Sequence, residues 1–551
     1  MPVFAKRAPN FFSRARCRYL ALVLFPALCL FASGCFRRES PADVTIINHA
    51  EPDSLDPAII VSQPDMRIVR GLFEGLLRLD PKTAAPIPGL AKSWDISPDK
   101  KTYTFHLRTN LVWSTGEPIT ADDVVYSWIR ALKPSTASDY AFALYYLKNA
   151  VDFNAGKITD PSLVGVHALD KYTVRVELNY PVAFFLDLCT FPVMFVVPRQ
   201  TIEKYGDHWI MARPLPSSGP YELAYWRLND RVRLVKNPLY WNATNTQSDI
   251  IDILPIGSPN TAFNLYESGA ADIVWDKDEI PQDLLDILLK RPDFHRFDFL
   301  GTYFIRFNVT QKPFDDPRVR RALALAVNKD LLVKKIMRAG ERPASHFVPD
   351  GTANYESPQG LGYDPALAKQ LLAEAGYPGG KGFPRFQYTF DAAAGGAAKV
   401  HENIAVELQQ MWADTLGIHM DLRQVETKVF WNMQGTLDYQ LSRSSWVGDY
   451  DDANTFLEMF VSNDGENRTG WKDPEYDALI LQANEQTDLK AREKIFQRAE
   501  SILISNQVPI IPLFFYAGVT YYDTNKIQGI YANLLDDHPL EYIRKIHPAK
   551  P

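Results

Sequence analysis

The sequence is poor in cysteine and histidine and has no excess of basic residues. Its 551 residues include 4 Cys and 10 His, too few for a fold held by a disulfide network or for a histidine-rich metal centre. Asp and Glu number 66 against 59 Lys and Arg, which gives a formal net charge of −7. Nucleic-acid binding needs a concentrated basic surface, so no nucleic-acid partner is expected.

The clearest apolar run, residues 19–31, lies near the start of the chain and follows five basic residues. It ends in small side chains, a pattern that predicts a secretory signal peptide over residues 1–34. The run is shorter than the roughly 20 residues that a membrane-spanning helix needs. Removal of this segment leaves a more acidic chain, with a formal charge of −12.

Residues 30–35 (Leu-Phe-Ala-Ser-Gly-Cys) resemble the lipobox of bacterial lipoproteins. The resemblance implies that Cys35 is lipidated, that residues 35–43 form an anchor and tether, and that the protein sits in the periplasm or at the cell-envelope surface, attached to a membrane. Ala32 stands where the motif prefers Leu, and the alternative is a secreted protein cleaved elsewhere. Cys189 then has no partner, and its apolar surroundings predict a buried small side chain.

The length favours two to four lobes. Strand and helix patterns are mixed along the chain: Tyr103, Phe105 and Leu107 alternate with polar residues, which predicts a strand. Residues 120–123 have the spacing of a capping box and precede an amphipathic helical pattern. These patterns indicate an α/β fold.

Motifs for catalysis or metal binding are incomplete. The sequence has no Gly-x-Ser-x-Gly elbow of a hydrolase. His401-Glu402 begins like a zinc-protease helix, but position 405 is Ala instead of the second His. Residues 449–460 lack the Gly and Glu of a calcium loop. We therefore expect no catalytic residues, no metal and no cofactor, and a protein that is not an enzyme.

Several short blocks occur in the order found in one protein family. They are residues 51–57 (EPDSLDP), 72–77 (LFEGLL), 88–94 (PGLAKSW), 103–108 (YTFHLR), 120–128 (TADDVVYSW), 314–323 (FDDPRVRRAL) and 369–377 (KQLLAEAGY). Together they resemble the solute-binding proteins of oligopeptide ABC importers, the peptide/nickel-type group. The resemblance covers essentially the whole mature chain and is closest to the oligopeptide-binding branch.

The resemblance implies an α/β fold of the periplasmic-binding-protein type, with two hinged lobes and an extra domain on the first. The expected bounds are 44–73, 200–300 and 517–551 for lobe 1 (domain I), 74–199 for the extra domain II, and 301–516 for lobe 2 (domain III). A monomer is expected. Closure of the lobes over a ligand would present the closed shape to a membrane permease.

Short peptides are the ligands that this family implies. Peptides of different sequence share only the main chain and the two charged ends. A general receptor should therefore hydrogen-bond the main chain, pair the ammonium group with a carboxylate and pair the carboxylate with a basic group. The function implied is the capture of oligopeptides of about two to five residues and their delivery to an ABC transporter permease.

Three charged or titratable residues match anchoring positions of the family. Asp449, in the segment 446–450 (WVGDY), matches the residue that pairs with the ligand's amino terminus; without the resemblance, a helix N-cap or a solvated loop acid is the favoured interpretation. Arg443 matches a position that meets a ligand carboxylate, which suits a bidentate guanidinium, although a surface salt bridge is the alternative. His401 matches a His that serves the carboxylates of longer peptides, or it is an ordinary polar residue at a helix start.

Three further residues match the lining of the family's site. Tyr140 and Trp446 match aromatic wall positions, although either could pack in a core, and Gln63 matches a position that supplies main-chain bonds. Departures from the closest family members occur at Val61, Thr427 and Met337, where they carry Glu, Trp and Lys. Because of these departures, the length of the peptide and the side chains that its pockets accept cannot be carried over from the family.

Other functions stay open at this point. Within the same class, the ligand could be a muropeptide, a nickel chelate or an oligosaccharide, and the 11 Trp residues are compatible with sugar stacking. An exported, lipid-anchored hydrolase on the same scaffold is a less favoured alternative, given the missing motifs. A chaperone-like or sensory lipoprotein that uses the same cleft is a third.

Overall fold

The computed structural model describes residues 39–546 except 393–396 and 463. The predicted signal peptide (1–34) and Cys35 lie outside the described residues. The chain divides into residues 1–42 and a compact unit of residues 43–551, and all elements given below belong to the second. Within the described residues we find no helix with the length and apolar character needed to span a bilayer.

Most strands belong to one large mixed sheet. In chain order the strands are β1 (Val44–Ile47), β2 (Leu77–Leu79), β3 (Pro86–Pro88), β4 (Ala91–Ile96), β5 (Thr102–Leu107), β6 (Val166–Asp170), β7 (Thr173–Glu177), β8 (Tyr221–Arg227), β9 (Arg231–Lys236), β10 (Ile250–Leu254), β11 (Ile273–Val274), β12 (Phe294–Phe307), β13 (Arg342–Pro343), β14 (Phe386–Asp391), β15 (Met420–Val425), β16 (Leu441–Val447), β17 (Ile510–Tyr521), β18 (Ile527–Gln528) and β19 (Arg544–Lys545). The large sheet has the order β15-β14-β16-β12-β17-β11-β1-β10-β9-β8, and β13 pairs with β17.

Two long antiparallel strands, β12 and β17, join the two halves of this sheet. The first part of β12 pairs with the last part of β17, from Phe294 opposite Tyr521 to Asp298 opposite Ala517. The register is then broken, and pairing resumes at Thr302 opposite Phe515. Because a register irregularity bends a strand pair and interrupts its ladder, residues 299–301 are a point at which the β12–β17 pair can bend.

A separate four-stranded sheet, β4-β5-β7-β6, is antiparallel. Its strand β5 covers the predicted alternation from Tyr103 to Leu107. The predicted capping box is present: the Thr120 N–H donates to Asp123 Oδ2 at 2.8 Å, and the helix Ala121–Leu132 follows. Cys189 is fully buried, as its apolar surroundings predicted.

The α-helices fill the connections between strands. They are Gln63–Leu72, Ala121–Leu132, Ala150–Asn154, Phe185–Leu188, Arg199–Tyr205, Pro259–Glu267, Leu285–Leu288, Pro317–Leu325, Lys329–Leu332, Pro365–Glu374, Ala397–Leu416, Thr427–Gly435, Asn454–Leu457, Pro474–Glu485 and Leu489–Ser501. The helix Pro317–Leu325 has Asp316 as its N-cap, and this side chain accepts from the Arg318 N–H at 2.8 Å.

Separate apolar cores lie at the two ends of the large sheet, which β12 and β17 join. One contains the helix Ala121–Leu132 and the strands of the small sheet, and Trp128 is fully buried in it. Another is built around Phe314, Tyr388 and Trp412, on helices and strands from residues 303–514. Because each side buries its own apolar surface, the two sides are separately stabilised.

Candidate functional site

A cavity of about 360 Å³ brings together four of the six predicted binding residues. Asp449, Trp446, Tyr140 and Gln63 all line it. They come from segments that are far apart in sequence, so only the tertiary fold joins them. The cavity is also lined by acidic residues at 276, 278, 536 and 537 and by Arg67 and Arg70.

Asp449 is held by the turn that follows strand β16. Gly448 stands between the strand and Asp449, and a Cβ there would lie 2.5 Å from Leu300 Cδ2, so only Gly allows this close approach. The Asp449 N–H donates to Thr455 Oγ1 at 3.2 Å, and the Tyr140 hydroxyl donates to Asp449 Oδ1 at 3.3 Å. Asp449 is therefore a positioned cavity residue, and it is not the N-cap of the helix Asn454–Leu457, whose N-cap is Ala453.

Burial raises the pKa of the Asp449 carboxyl group. Removal from water raises the pKa of Asp449 to about 7, and the negative charge of Glu466 acts in the same direction, while the hydrogen bond from Tyr140 opposes it. In the described part of the chain no Lys, Arg or His side chain forms an ion pair with Asp449. The site thus presents a half-buried carboxylate whose charge lacks a cationic partner within the protein.

The arginines of the cavity are already paired with carboxylates. Arg67 Nη1 lies 3.1 Å from Asp276 Oδ2, and its other terminal nitrogen lies 3.6 Å from Asp536. Arg70 Nε lies 2.7 Å from Asp537. Because these opposite charges neutralise each other locally, neither arginine supplies a counter-charge to Asp449, which can pair with a cationic group.

Two other cavity residues offer contacts of a different kind. Trp446 is half-buried, and its Nε1–H has no hydrogen-bond partner among the described residues. Gln63 is the first residue of the helix Gln63–Leu72, directly after the N-cap Ser62. A buried donor without a partner is costly unless a ligand or water accepts from it, so an acceptor brought to Trp446 Nε1 would be stabilised.

Strand β16 also presents main chain to the cavity. On one side it pairs with β12 along its whole length, from Leu441 to Val447. On the other side, the described ladder with β14 includes only Leu441 and Ser442. Among the described residues, the main chain of 444–447 has no strand partner on the side away from β12, and residues 445–449 line the cavity. An open strand edge can accept an added extended segment.

The remaining two predicted residues, Arg443 and His401, lie away from this cavity and meet at Asp391. Arg443 is buried, and its Nε and Nη2 contact Asp391 Oδ1 at 2.6 and 2.5 Å. His401 Nε2 lies 3.9 Å from the same oxygen, and His401 Nδ1 lies 3.3 Å from the Tyr303 hydroxyl. Arg443 therefore forms a salt bridge, but a buried one and not the surface salt bridge that the sequence left as an alternative to ligand contact.

His401 borders a second, smaller cavity of about 50 Å³, together with Tyr303, Met337 and Glu341. Asp278 lines both cavities, so the two adjoin. In residues 39–546, apart from the gaps noted above, no group of three or more His, Cys, Asp or Glu side chains could hold a metal ion.

Sequence reasoning missed Asp391, which neutralises Arg443. Its signal was present, because Phe386, Tyr388 and Phe390 alternate along β14 and place an acidic residue at the carboxyl end of a buried strand. The pairing partner could not be inferred, since Asp391 and Arg443 are brought together only by the parallel contact of β14 with β16.

Comparison with known proteins gives consistent results. The family model "Bacterial extracellular solute-binding proteins, family 5 Middle" matches residues 85–468. The periplasmic oligopeptide-binding protein OppA of Salmonella typhimurium is 36% identical over 481 residues, which cover 85% of this chain and 86% of that protein.

Solved structures agree with this fold. An OppA-type protein (OppAIV) from Borrelia burgdorferi matches with a TM-score of 0.82 and 32% identity, covering 92% of this chain and 100% of that one. The murein tripeptide-binding protein MppA of Escherichia coli matches with a TM-score of 0.81 and 32% identity, over 92% and 99% of the two chains. The predicted two-lobed α/β fold of the periplasmic-binding-protein type is confirmed, and the chain belongs to family 5 of the bacterial extracellular solute-binding proteins.

Proposed function

We propose that this protein captures short oligopeptides between two closing lobes and delivers them to the permease of an ABC importer. The observation that supports this most is Asp449, a half-buried carboxylate that faces a cavity and has no cationic partner among the described residues. A peptide ammonium group would supply the missing charge. The peptide and murein-peptide binding named for the relatives above is consistent with this proposal.

The amino end of the ligand is the recognised group in this proposal. A charge-assisted hydrogen bond to Asp449 would replace the water lost on burial, while the Tyr140 hydroxyl holds the carboxylate in place. The acids at 276, 536 and 537 are paired with Arg67 and Arg70, so Asp449 is the carboxylate that the ammonium group would meet.

The ligand main chain would bind along the open edge of strand β16. Residues 444–447 can exchange main-chain hydrogen bonds with an extended peptide whatever its sequence, and the Nε1–H of Trp446 adds one donor. Side chains of the ligand would then occupy water-filled space in the 360 Å³ cavity. Affinity would depend mainly on features that all peptides share.

Lobe closure would occur about residues 299–301 and the facing part of β17, where the register is broken. The predicted domain bounds, with lobe 1 ending at 300 and lobe 2 beginning at 301, place the hinge there. Motion about a short irregular segment needs few dihedral changes.

We further propose that lipid at Cys35 keeps the binding protein at the membrane, near its permease.

Titration calorimetry with a pool of tri- and tetrapeptides tests the function. The same peptides with an acetylated amino terminus should bind at least about 30-fold more weakly, because the buried carboxylate loses its charged partner. Asp449→Asn should weaken the free peptides to a similar extent. Asp207→Asn, at an exposed position outside the cavity, is the matched control and should leave binding unchanged.

The absence of any heat with the peptide pool would refute the proposal. Native mass spectrometry of the purified protein would then show whether the cavity holds a nickel chelate or an oligosaccharide, since these differ in ligand mass. Recovery of cleaved peptides after incubation would instead support the hydrolase alternative.

A further inference from the structure

We infer that the contact between the proposed extra domain (residues 74–199) and the proposed lobe 2 (residues 301–516) is a proton-dependent latch, which closes when Glu458 is protonated and opens when Glu458 ionises. The inference rests on the proposed function, because it concerns the closing motion that would enclose the ligand. It adds a control by pH that acts before any ligand is bound. The latch consists of Tyr146 and Phe184 in the extra domain and of Tyr450, Asn454 and Glu458 in lobe 2.

A short chain of hydrogen bonds crosses this contact. The Tyr146 hydroxyl donates to Glu458 Oε2 at 2.5 Å. Asn454 donates from Nδ2 to the same carboxylate oxygen, and it also donates to the Tyr450 hydroxyl at 3.1 Å. Tyr146, Tyr450 and Asn454 are buried, and Glu458 is half-buried. Because hydrogen bonds in such surroundings depend strongly on the charge of their partners, the state of one carboxyl group affects the whole contact.

Aromatic packing surrounds the hydrogen bonds. Phe184 stacks on Tyr450, with ring centroids 4.6 Å apart and an interplanar angle of 9°, and Tyr146 meets Phe184 edge-on at 5.3 Å. Tyr450 packs in the same apolar core as the helix Ala121–Leu132 of the extra domain. This packing favours the closed arrangement at any pH, so the dependence on pH comes from the acidic groups.

Glu458 has no cationic partner in the part of the chain that the structure describes, and Arg492, the cation of this region, is held by Asp452 at 2.6 and 2.8 Å. The titratable and polar groups that face Glu458 are Tyr146 and Tyr180 from the extra domain, and Tyr450, Asn454, Tyr476, Asp452 and Asp464 from lobe 2. Burial raises the pKa of Glu458. The hydrogen bonds from Tyr146 and Asn454 oppose this rise, and the charges of Asp464 and Asp452 add to it.

Opening of the contact would change the protonation of Glu458. The side chain would return to water and lose the Tyr146 hydroxyl, so its pKa would fall toward the ordinary value of about 4.3. At a pH above that value the closed form therefore binds more protons than the open form. A fall in pH favours closing, and a rise in pH favours opening.

Two other acids at the contact act in the same direction. Burial raises the pKa of Asp187 to about 7, and the charges of Asp452 and Asp451, in lobe 2, add to the shift. The pKa of Asp449 is likewise raised by burial. A variant of Glu458 is therefore needed to separate its effect from theirs.

Single-molecule fluorescence energy transfer on ligand-free protein tests the latch. Dyes are attached at Lys133→Cys and Lys369→Cys, two exposed positions in the extra domain and in lobe 2, in Cys35→Ser protein, whose Cys189 is fully buried. We expect a higher closed fraction at pH 4 than at pH 8. A closed fraction that is the same at both pH values, whether high or low, would overturn the inference.

Glu458→Gln keeps an oxygen that can accept from Tyr146 and removes the charge. At pH 8 this variant should raise the closed-to-open ratio about threefold or more above that of the wild type, and at pH 4 the two ratios should agree. Glu475→Gln changes an exposed acid of the same lobe and is the matched control, which should alter neither ratio. Equal ratios for Glu458→Gln and the wild type at pH 8 would refute the role of Glu458.

Tyr146→Phe tests the contact without removing a carboxyl group, and it keeps the ring that packs on Phe184. It should lower the closed-to-open ratio at pH 8 about threefold. Tyr145→Phe is its matched control, because the Tyr145 hydroxyl donates to Asn154 within the extra domain at 2.6 Å. Equal ratios in the two tyrosine variants would contradict the latch. If Glu458→Gln does not fold, judged by circular dichroism, this pair of variants decides.

Peptide calorimetry distinguishes a failure of the latch from a failure of the proposed function. If the closed fraction responds to pH as expected but no peptide binds, the latch stands and the proposed ligand is wrong. If peptides bind but the closed fraction does not depend on pH, the latch is wrong and the proposed function stands.

Discussion

Replacement of Asp449 by Asn should make the ligand-free protein more stable at high pH while weakening peptide binding. In the folded protein the pKa of Asp449 is raised to about 7, chiefly by burial, whereas an unfolded Asp titrates near 3.9. The folded state therefore prefers the protonated form. Ionisation of Asp449 costs stability, and this cost accumulates as the pH rises from about 4 to about 7 and is constant above.

The size of the effect follows from the pKa. A displacement from 3.8 to about 7 corresponds to roughly 4 kcal/mol at 1.36 kcal/mol per pKa unit. Asp449 is only half-buried, so water reduces this to about 2 kcal/mol. With an unfolding entropy of about 2.1 cal/mol/K per residue, a folded chain of about 500 residues should gain about 2 °C in Tm.

Differential scanning calorimetry of peptide-free protein at pH 8 and pH 4 measures this gain. Asp449→Asn should melt about 2 °C above the wild type at pH 8 and at the same temperature at pH 4, where the wild-type side chain is protonated. Asp207→Asn, which changes an exposed acid, should shift neither melting temperature. A variant that melts below the wild type at pH 8 would refute the reasoning, because the ionised carboxylate would then stabilise the fold. A gain in melting temperature that is equal at both pH values would also refute it, because the gain would then not depend on ionisation of Asp449.

Three further predictions concern other parts of the chain. Tyr140→Phe removes the hydroxyl donor to the cavity carboxylate and should weaken peptide binding about 3- to 10-fold by calorimetry; unchanged affinity would show that this hydrogen bond does not position the anchor. Gly448→Ala places a Cβ 2.5 Å from Leu300 Cδ2 and should lower stability by about 1–3 kcal/mol in denaturant titrations, whereas Gly465→Ala, whose Cβ would have nothing within 4 Å, should cost little. Cys35→Ser should move the exported protein from the membrane fraction to the soluble fraction; retention in the membrane would contradict lipidation at that residue.

The sequence by itself determined those helices and strands that depend on interactions between residues close together in the chain. The capping box at Thr120 and Asp123 depends on a side chain and a main-chain N–H three residues apart, so its spacing alone predicted where the helix begins. The alternation from Tyr103 to Leu107 likewise predicted strand β5, because adjacent side chains of a strand face opposite sides. The ordered family blocks extended such local evidence to the overall fold and to Asp449.

The tertiary structure decided what the charged residues do. Asp391 and Arg443 are 52 positions apart and meet because β14 pairs with β16, so the residue type of Arg443 could not show that its charge is cancelled. The acids at 276 and 536 line the cavity of Asp449 although they are far from it and from each other in the sequence. Electrostatic energy depends on distance and burial, and neither quantity can be read from a sequence until the chain is folded.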